Sequence, residues 1–515
     1  MSWVGFDILL SRYPQLKGDI EKLQTYVKQM KLKVGDVLDL LHASAWTNIP
    51  HPRLREILER GVKIGIFQKV YRLKCSIKEG IVHEQESPFS FPLEFFCDLC
   101  GESHIFTEDD VMEGYRLKFI FSNDDLAQIR NTMPLLCYYA KRISKEFRNK
   151  QPFRNKMFLI ILHFLKDLLI FLEACEKLGL EPGETHLFYK PYLYPHRDLI
   201  CSYLKSRGYH VYPLEKLEDV LEKFNQLDLT KDIVVIEDGG YIVPLLHKRF
   251  LNLCRRTIGA VEQTTKGIRN DERILNIMIP VLSVAEADIK SRIEPSHIAD
   301  AVIQNIKDLL SHEKIRGQKI ALMGYGTIGR EIAEKLKNMG AHVVIYDPRS
   351  EKRIEAKEKG YETVLEPYNA VKDVFLVIGC SGEKSIGRTE ILSMKHNTYL
   401  VSASSDQREI GLLELESLSS HKETLKNPDG KIIGTCYTIR GKNIKINLLA
   451  DGYPINFWYS ESMPNQVSDL ILSLILLSTL ELIVNREQYA KGIQSINEVA
   501  DKYEVAKIYE EHYYS

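Results

Sequence analysis

No sign of charge dominates this sequence: 69 lysines and arginines stand against 70 aspartates and glutamates, a formal net charge of -1. A chain without a global field has no built-in pull on nucleic acid or an anionic membrane, so any such contact must come from a local patch. Cysteines are few and odd in number, nine in 515 residues, and no cleavable apolar leader follows Met1. Both features speak against a disulfide framework and for reduced thiols in the cytoplasm. Long uninterrupted apolar runs are missing as well. "MFLIILHFLKDLLIFLEAC" (157–175) is broken by His163, Lys166, Asp167 and Glu173. "LILSLILLSTLELIV" (470–484) stops short of the ~20 apolar residues a span requires. Both read as buried core, and no membrane partner is expected. No fixed-period repeat and no low-complexity tract occurs. What the chain does have is 44% hydrophobic content, enough to fill roughly three domains of about 100–200 residues each.

Residues 1–120 differ in texture from the rest. "VGDVLDLLHASAW" and "HPRLREILERG" carry apolar residues at helical spacing on either side of "TNIP", and "VKIGIFQKVYRLKC" is β-rich with a basic face. Helix, turn, helix and strand predict a small winged-helix-like α+β unit. Its partner is either nucleic acid, met through the second helix, or another protein. "FFCDLCGESH" follows. Cys97 and Cys100 form a C-x-x-C before a glycine, the tight knuckle that lets two thiolates converge on tetrahedral zinc, and Cys75 with His104 or His83 completes four ligands. The other reading is a β-turn that carries two free cysteines, because a second C-x-x-C is missing.

From about 130 the texture is α/β. "MFLIILHFLKDLLIFLEACEKLG" reads as an apolar strand entering a helix, "ETHLFYK" as a strand, "PHRDLICSYLKSRG" as a helix, "YHVYPLE" and "DIVVIEDGG" as strands. Such alternation predicts a parallel sheet covered on both faces. A second series begins near 318 with "KIALMGYG", "TIGREIAEKLKNMG", "AHVVIYD", "SEKRIEAKEKG", "VFLVIGC" and "TYLVSAS", and the tail returns to helix.

The second series opens on a dinucleotide fingerprint. Gly324, Gly326 and Gly329, with Thr327 and Ile328 between them, give G-x-G-x-x-G between a predicted strand and a predicted helix. The first glycine permits the tight turn, the second lets backbone approach a pyrophosphate, and the third lets helix and strand pack closely. The phosphates are expected at the helix N-terminus, where free N–H groups favour anions. Asp347 closes the next strand and is expected to accept hydrogen bonds from the adenosine ribose hydroxyls, which selects NAD; Arg349 and Arg353 beside it weigh toward a 2′-phosphate.

"MPLL" (133–136), "LHFLKDLLIFLEACEKLG", "IEDGG", "EQTTKG", "PVLSVAEADIKSRIEP", "GYGTIG" and "SMPNQVSDL" follow one another in an order and spacing that resemble the S-adenosyl-L-homocysteine hydrolase family. The resemblance covers roughly 130–515 and not the N-terminal part. It implies a Rossmann-type NAD-binding domain (301–454) inserted in a substrate-type α/β domain (121–300, completed by about 455–485), with a helical tail at 486–515. It implies an enzyme that uses NAD to oxidise the 3′-hydroxyl of a nucleoside, so that the adjacent C–H is acidified and the thiol eliminated. Matched by position, Lys290 falls on the lysine beside that hydroxyl, Asp238 on the aspartate near the 4′ carbon, and His163 on the histidine that faces the leaving sulfur. Thr264 and Thr265 fall on residues that touch the nicotinamide, and Asn447 on one that binds its carboxamide. The family assembles as an oligomer, which implies a dimer or tetramer here, with Lys507 and Tyr513 as candidates to reach a neighbour.

Other positions depart from the pattern. A substrate-binding glutamate is Gln263, an aspartate is Glu294, the next asparagine is Pro295, an earlier one is Ala285, a histidine is Ser405, an adenine-edge threonine is Leu165, and the C-terminal histidine falls near Pro454. Each lost partner leaves a buried polar group short by about 1 to 3 kcal/mol, which argues against efficient hydrolysis of S-adenosylhomocysteine. Two functions stay open: NAD-dependent chemistry of the same type on another nucleoside-like or sugar-like ligand, or a non-catalytic NAD sensor or scaffold tied to the N-terminal module. A 2-hydroxyacid dehydrogenase fits the order of elements less well.

Overall fold

The computed structural model describes residues 4–515 except 33–34, 76, 79, 86–90, 92–93, 106–109, 119–122, 148–149, 228–229, 429 and 443. The chain forms two compact units, Met1–Asn131 with His196–Arg207, and Thr132–Pro195 with Gly208–Ser515. The first unit therefore extends past residue 120, through the helix Asn123–Asn131.

In the first unit, helices Val4–Arg12 and Lys17–Gln29 precede strand Val37–Asp39, helices Leu40–Thr47 and His51–Lys63, and strands Phe67–Lys74, Ile81–Gln85 and Val111–Leu117. Helix His51–Lys63 buries Leu54, Ile57, Leu58 and Gly61, the i, i+3, i+4, i+7 face of an amphipathic helix. "VGDVLDLLHASAW" is not helical throughout. Val37 and Leu38 pair with Arg116 and Tyr115, and Asp39 then caps the helix by accepting the His42 N–H at 2.9 Å. The sheet is antiparallel and runs Val37–Asp39, Val111–Leu117, Phe67–Lys74, Ile81–Gln85. A separate hairpin joins Glu94–Phe96 to Ser103–Ile105.

The second unit holds two sheets. One is parallel throughout and seven-stranded, in the order Gly492–Ser495, Pro280–Ser283, Thr257–Glu262, Asp232–Glu237, Lys156–Ile161, Thr185–Tyr189, His210–Pro213. Thr257–Glu262 is buried at every position, as a strand covered on both faces requires. The tail is not purely helical, because Gly492–Ser495 adds the edge strand beside Pro280–Ser283.

The other sheet has eight strands, in the order Glu362–Thr363, His342–Tyr346, Lys319–Met323, Leu376–Gly379, Thr398–Ser402, Ile444–Leu449, Ile432–Ile439, Ser419–Lys426. The first six are parallel and the last two antiparallel. In each parallel array the order of the strands reverses, between Lys156–Ile161 and Asp232–Glu237 in one sheet and between Lys319–Met323 and Leu376–Gly379 in the other. Open α/β sheets bind ligands just beyond the carboxyl ends of strands at such a reversal.

Helix Asp288–Leu309 leads from the first of these sheets to the second. Helix Asn465–Val484 is long and apolar enough to cross a membrane, yet 89% of its apolar window is buried inside the protein, and the acidic Asp469 and Glu481 on it are buried with hydrogen-bond partners. It is a core helix.

Candidate functional site

Both reversals open on one cleft of about 930 Å³, lined by Gly324, Gly326 and Asp347 from one sheet and by His163, Asp238 and Lys290 from the other. On the nucleotide side, Gly324 has φ +116°, and a Cβ there would stand 2.7 Å from Ser381 N; a Cβ on Gly329 would meet the Gly324 carbonyl at 2.3 Å. Only glycine fits either place. Gly326 is different, since a Cβ would meet nothing within 4 Å. That open space lies over the N-terminus of helix Thr327–Asn338, which has no side-chain cap, so its leading N–H groups stay available for an anion. Asp347 is 2% exposed. Its Oδ2 accepts the Tyr325 N–H at 2.8 Å, and Arg349 grips both oxygens at 3.0 and 3.1 Å. Burial pushes the Asp347 carboxyl up, but the Arg349 and backbone hydrogen bonds outweigh it and leave it below the usual range. Glu409 anchors the facing loop, accepting the Gly382 N–H at 2.6 Å and the Ser404 hydroxyl at 2.5 Å. Glycines, free helix terminus and an acid at the end of the next strand together fit a dinucleotide.

The substrate side is built at the carboxyl ends of the other sheet. His163 follows Lys156–Ile161 and Asp238 follows Asp232–Glu237, the two strands that flank the reversal, and His163 Nε2 lies 2.9 Å from Asp238 Oδ2. Its Nδ1 lies 2.6 Å from the Tyr194 hydroxyl. A carboxylate only accepts, so a proton on Nε2 suits this pair and leaves Nδ1 for the Tyr194 O–H. The ring stacks on Phe457 at 4.1 Å. Lys290 and Glu294, one turn apart at the start of helix Asp288–Leu309, pair at 2.6 Å with both side chains largely buried. Thr264 caps helix Thr265–Asp271, and both threonines line the cleft.

Several residues that sequence reasoning missed complete this side. Lys190, wholly buried, is ion-paired with Asp238. Lys266 is ion-paired with Asp406, whose oxygens also accept the Tyr192 and Tyr241 hydroxyls at 2.7 and 2.6 Å. Burial would raise both carboxyls, but Lys190 and His163 hold Asp238 far below the usual range, and Lys190 with Lys266 brings Asp406 to about 2. Lys190 had a signal: it ends a predicted strand of a parallel sheet, where ligands gather. Asn456 also lines the cleft.

Beneath lie three buried carboxylates, Glu237, Glu262 and Asp271, with oxygens within 4.8 Å of one another. Glu237 and Glu262 accept backbone N–H groups of residues 239–243. Burial first, then mutual repulsion, pushes Glu262 and Asp271 well above the carboxylate range.

Asn447 stands apart from the cleft. It pairs with Tyr399 in mid-strand and faces a different depression beside Lys395 and Lys445; the cleft end of its strand is Leu449. Tyr513 folds back on its own chain and donates to Asp469 at 2.6 Å, while Lys507 is exposed. In the N-terminal unit Cys75, Cys97, Cys100 and His104 are brought together, one ligand atom from each lying within 4.8 Å of the others.

Comparisons with known proteins agree with this geometry. Residues 296–407 match the family described as D-isomer specific 2-hydroxyacid dehydrogenase, NAD binding domain. An adenosylhomocysteinase of Thermoplasma acidophilum is 27% identical over 394 residues, 74% of this chain and 91% of that protein. S-inosyl-L-homocysteine hydrolases of Methanococcus maripaludis and Methanocaldococcus jannaschii are 28% and 26% identical, over 71% and 69% of this chain and 85% and 84% of theirs. Over about 70% of its length the chain is thus similar to adenosylhomocysteinases and S-inosyl-L-homocysteine hydrolases, and it carries a Rossmann-type NAD-binding domain.

Proposed function

We propose that the protein uses NAD to oxidise a secondary hydroxyl of a nucleoside-like or sugar-like substrate other than S-adenosylhomocysteine. The observation that supports this reading is the meeting of two sheet reversals at one cleft, with Lys290, Glu294, His163 and Asp238 across from the nucleotide glycines. NAD, when bound, accepts hydride from a carbon that carries a hydroxyl. The chain itself must take the hydroxyl proton. Lys290 is placed for that work: its buried amine lies 2.6 Å from the Glu294 carboxylate, a partner to hand its proton to before it accepts one from the substrate. His163 has both nitrogens engaged and orients the floor of the site. The relatives include proteins named for adenosyl and for inosyl substrates at 26 to 28% identity, so kinship does not choose the base. The replacements at Gln263, Ser405 and Leu165 point away from an adenosyl thioether.

A second reading, an NAD sensor without turnover, draws on Lys190 and Lys266, which already neutralise the carboxylates a substrate would use. One experiment separates the two. NAD-loaded protein is mixed with nucleosides, nucleosidyl thioethers and free sugars, and reduced nicotinamide is followed by its near-ultraviolet absorbance. Reduction by at least one class, abolished by Lys290→Met with NAD affinity unchanged, supports the enzyme. Absence of reduction across the panel favours the sensor.

A further inference from the structure

Among the described residues the hairpin of the N-terminal unit buries little apolar surface. Its strands, Glu94–Phe96 and Ser103–Ile105, are three residues each; Phe96, Leu99 and Ile105 are 63%, 43% and 79% exposed, and Phe95 packs on the rings of His83 and His104. A two-stranded ribbon of this size is marginal in water unless something else fastens it. Yet Cys97 at its turn and Cys75 at the end of strand Phe67–Lys74 are almost wholly buried, 0% and 1% exposed. What they are buried against is each other's polar groups: the Sγ atoms of Cys75, Cys97 and Cys100 and a ring nitrogen of His104 all lie within 4.8 Å. His104 Nε2 is 2.9 Å from Cys100 Sγ and 3.8 Å from Cys75 Sγ.

The two cysteine loops share one hydrogen bond, from the first cysteine's N–H to the carbonyl five residues on. The Cys97 carbonyl accepts the Gly101 N–H, and the Cys97 N–H donates to Glu102 O, both at 2.8 Å. In the other loop the Cys75 N–H donates to Gly80 O at 2.8 Å, and the Lys78 N–H points at Cys75 Sγ at 3.3 Å. An N–H aimed at sulfur stabilises a thiolate. Three residues after Cys75, where a second knuckle thiol would stand, the sequence has Lys78, and His104 on the hairpin supplies the fourth donor instead. Three thiolates and an imidazole form a closed tetrahedral set with no place for water or substrate, the mark of a structural rather than a catalytic site.

We propose that Cys75, Cys97, Cys100 and His104 hold one structural zinc ion, which fastens the hairpin at 94–105 to the end of strand Phe67–Lys74. Because the described residues of the hairpin bury so little apolar surface, zinc binding and its folding are coupled.

The test uses the full chain, purified without added metal and with any tag removed. Elemental analysis is expected to find one zinc per chain, and Co2+ exchanged into the site should give thiolate-to-metal charge-transfer absorption. Cys97→Ala and Cys100→Ser should lose the metal, His104→Cys should keep it, and Cys137→Ser, outside the cluster, should keep it. NAD titration reports whether each variant still carries a folded second unit, so metal loss with NAD binding intact counts for the site. Three results overturn the proposal: full zinc content in Cys97→Ala, a parent chain that neither contains nor takes up zinc, or an intact mass two hydrogens light that reveals a disulfide.

Discussion

The two sides of the cleft solve opposite problems. On the nucleotide side, hydrogen-bonding capacity is left over at an uncapped helix N-terminus with open space above Gly326, while Asp347 is already engaged, by Arg349 and the Tyr325 N–H. On the substrate side it is consumed internally, with Asp238 against Lys190 and His163, Asp406 against Lys266, Tyr192 and Tyr241, and aromatic rings stacked over His163. The nucleotide side is shaped for a ligand that adds contacts. The substrate side is stable as it stands, so its ligand must replace contacts the protein already makes, and that narrows what can bind.

The most forceful way to break this comparison is to remove one charge from the substrate side. Lys190→Ala leaves Asp238 buried without its main counter-ion and should cost about 3–5 kcal/mol of stability, read by denaturant unfolding. Pairing it with Asp238→Ala should recover a large part, and strict additivity of the two would deny the coupling. On the nucleotide side, Gly326→Val should leave stability unchanged, since its Cβ meets no protein atom. It should weaken NAD about 100-fold, close to 2.7 kcal/mol, by calorimetric titration.

A third test sharpens the contrast through pH. Glu262 and Asp271 have folded pKa values raised above the unfolded ones by burial and mutual repulsion, Glu262 to about 8. The folded state then holds more protons, so this contribution is intact below the ordinary carboxylate range near pH ~4 and declines as pH rises toward that of Glu262. Asp238, depressed by Lys190 and His163, acts in the opposite sense and loses its contribution only as the solution turns strongly acidic. Asp271→Asn should therefore flatten the fall of melting temperature between mildly acidic and mildly alkaline buffer. The smallest effect belongs to Tyr192→Phe, which removes two hydrogen bonds with Asp406, one donated to Oδ1 and one accepted from its N–H, and should cost about 1–2 kcal/mol.

The sequence revealed the nucleotide side because its demands are local. A glycine at φ +116°, a glycine pressed on a carbonyl and an acid at a strand end are set by neighbouring residues, so spacing alone reveals them. Lys290 and Glu294 were named only by position, through the family resemblance, and their pairing one helical turn apart is what the fold adds. The substrate side was only half legible. Lys190, Lys266, Tyr241 and Asp406 come from distant segments: Lys190 meets Asp238 across one sheet, and Lys266 and Tyr241 meet Asp406 only once the two sheets face each other, which no local pattern encodes.

Strand placement failed in a related way. Gly492–Ser495 and Val37–Asp39 are too short to show a period, and each becomes a strand because an edge is waiting for it. Asn447 shows the limit most sharply: its motif matches, but strand register turns it away from the cleft. The four zinc-type donors were named from a single C-x-x-C, although only the folded hairpin shows His104 rather than His83 meeting the thiols.

The central claim is that the cleft binds NAD and uses it for redox chemistry against Lys290. The most direct measurement is the oxidation state of the nucleotide released when the purified protein is denatured. Redox cycling in the site predicts a mixture of NAD+ and NADH; NAD+ alone, or no nucleotide, would contradict it.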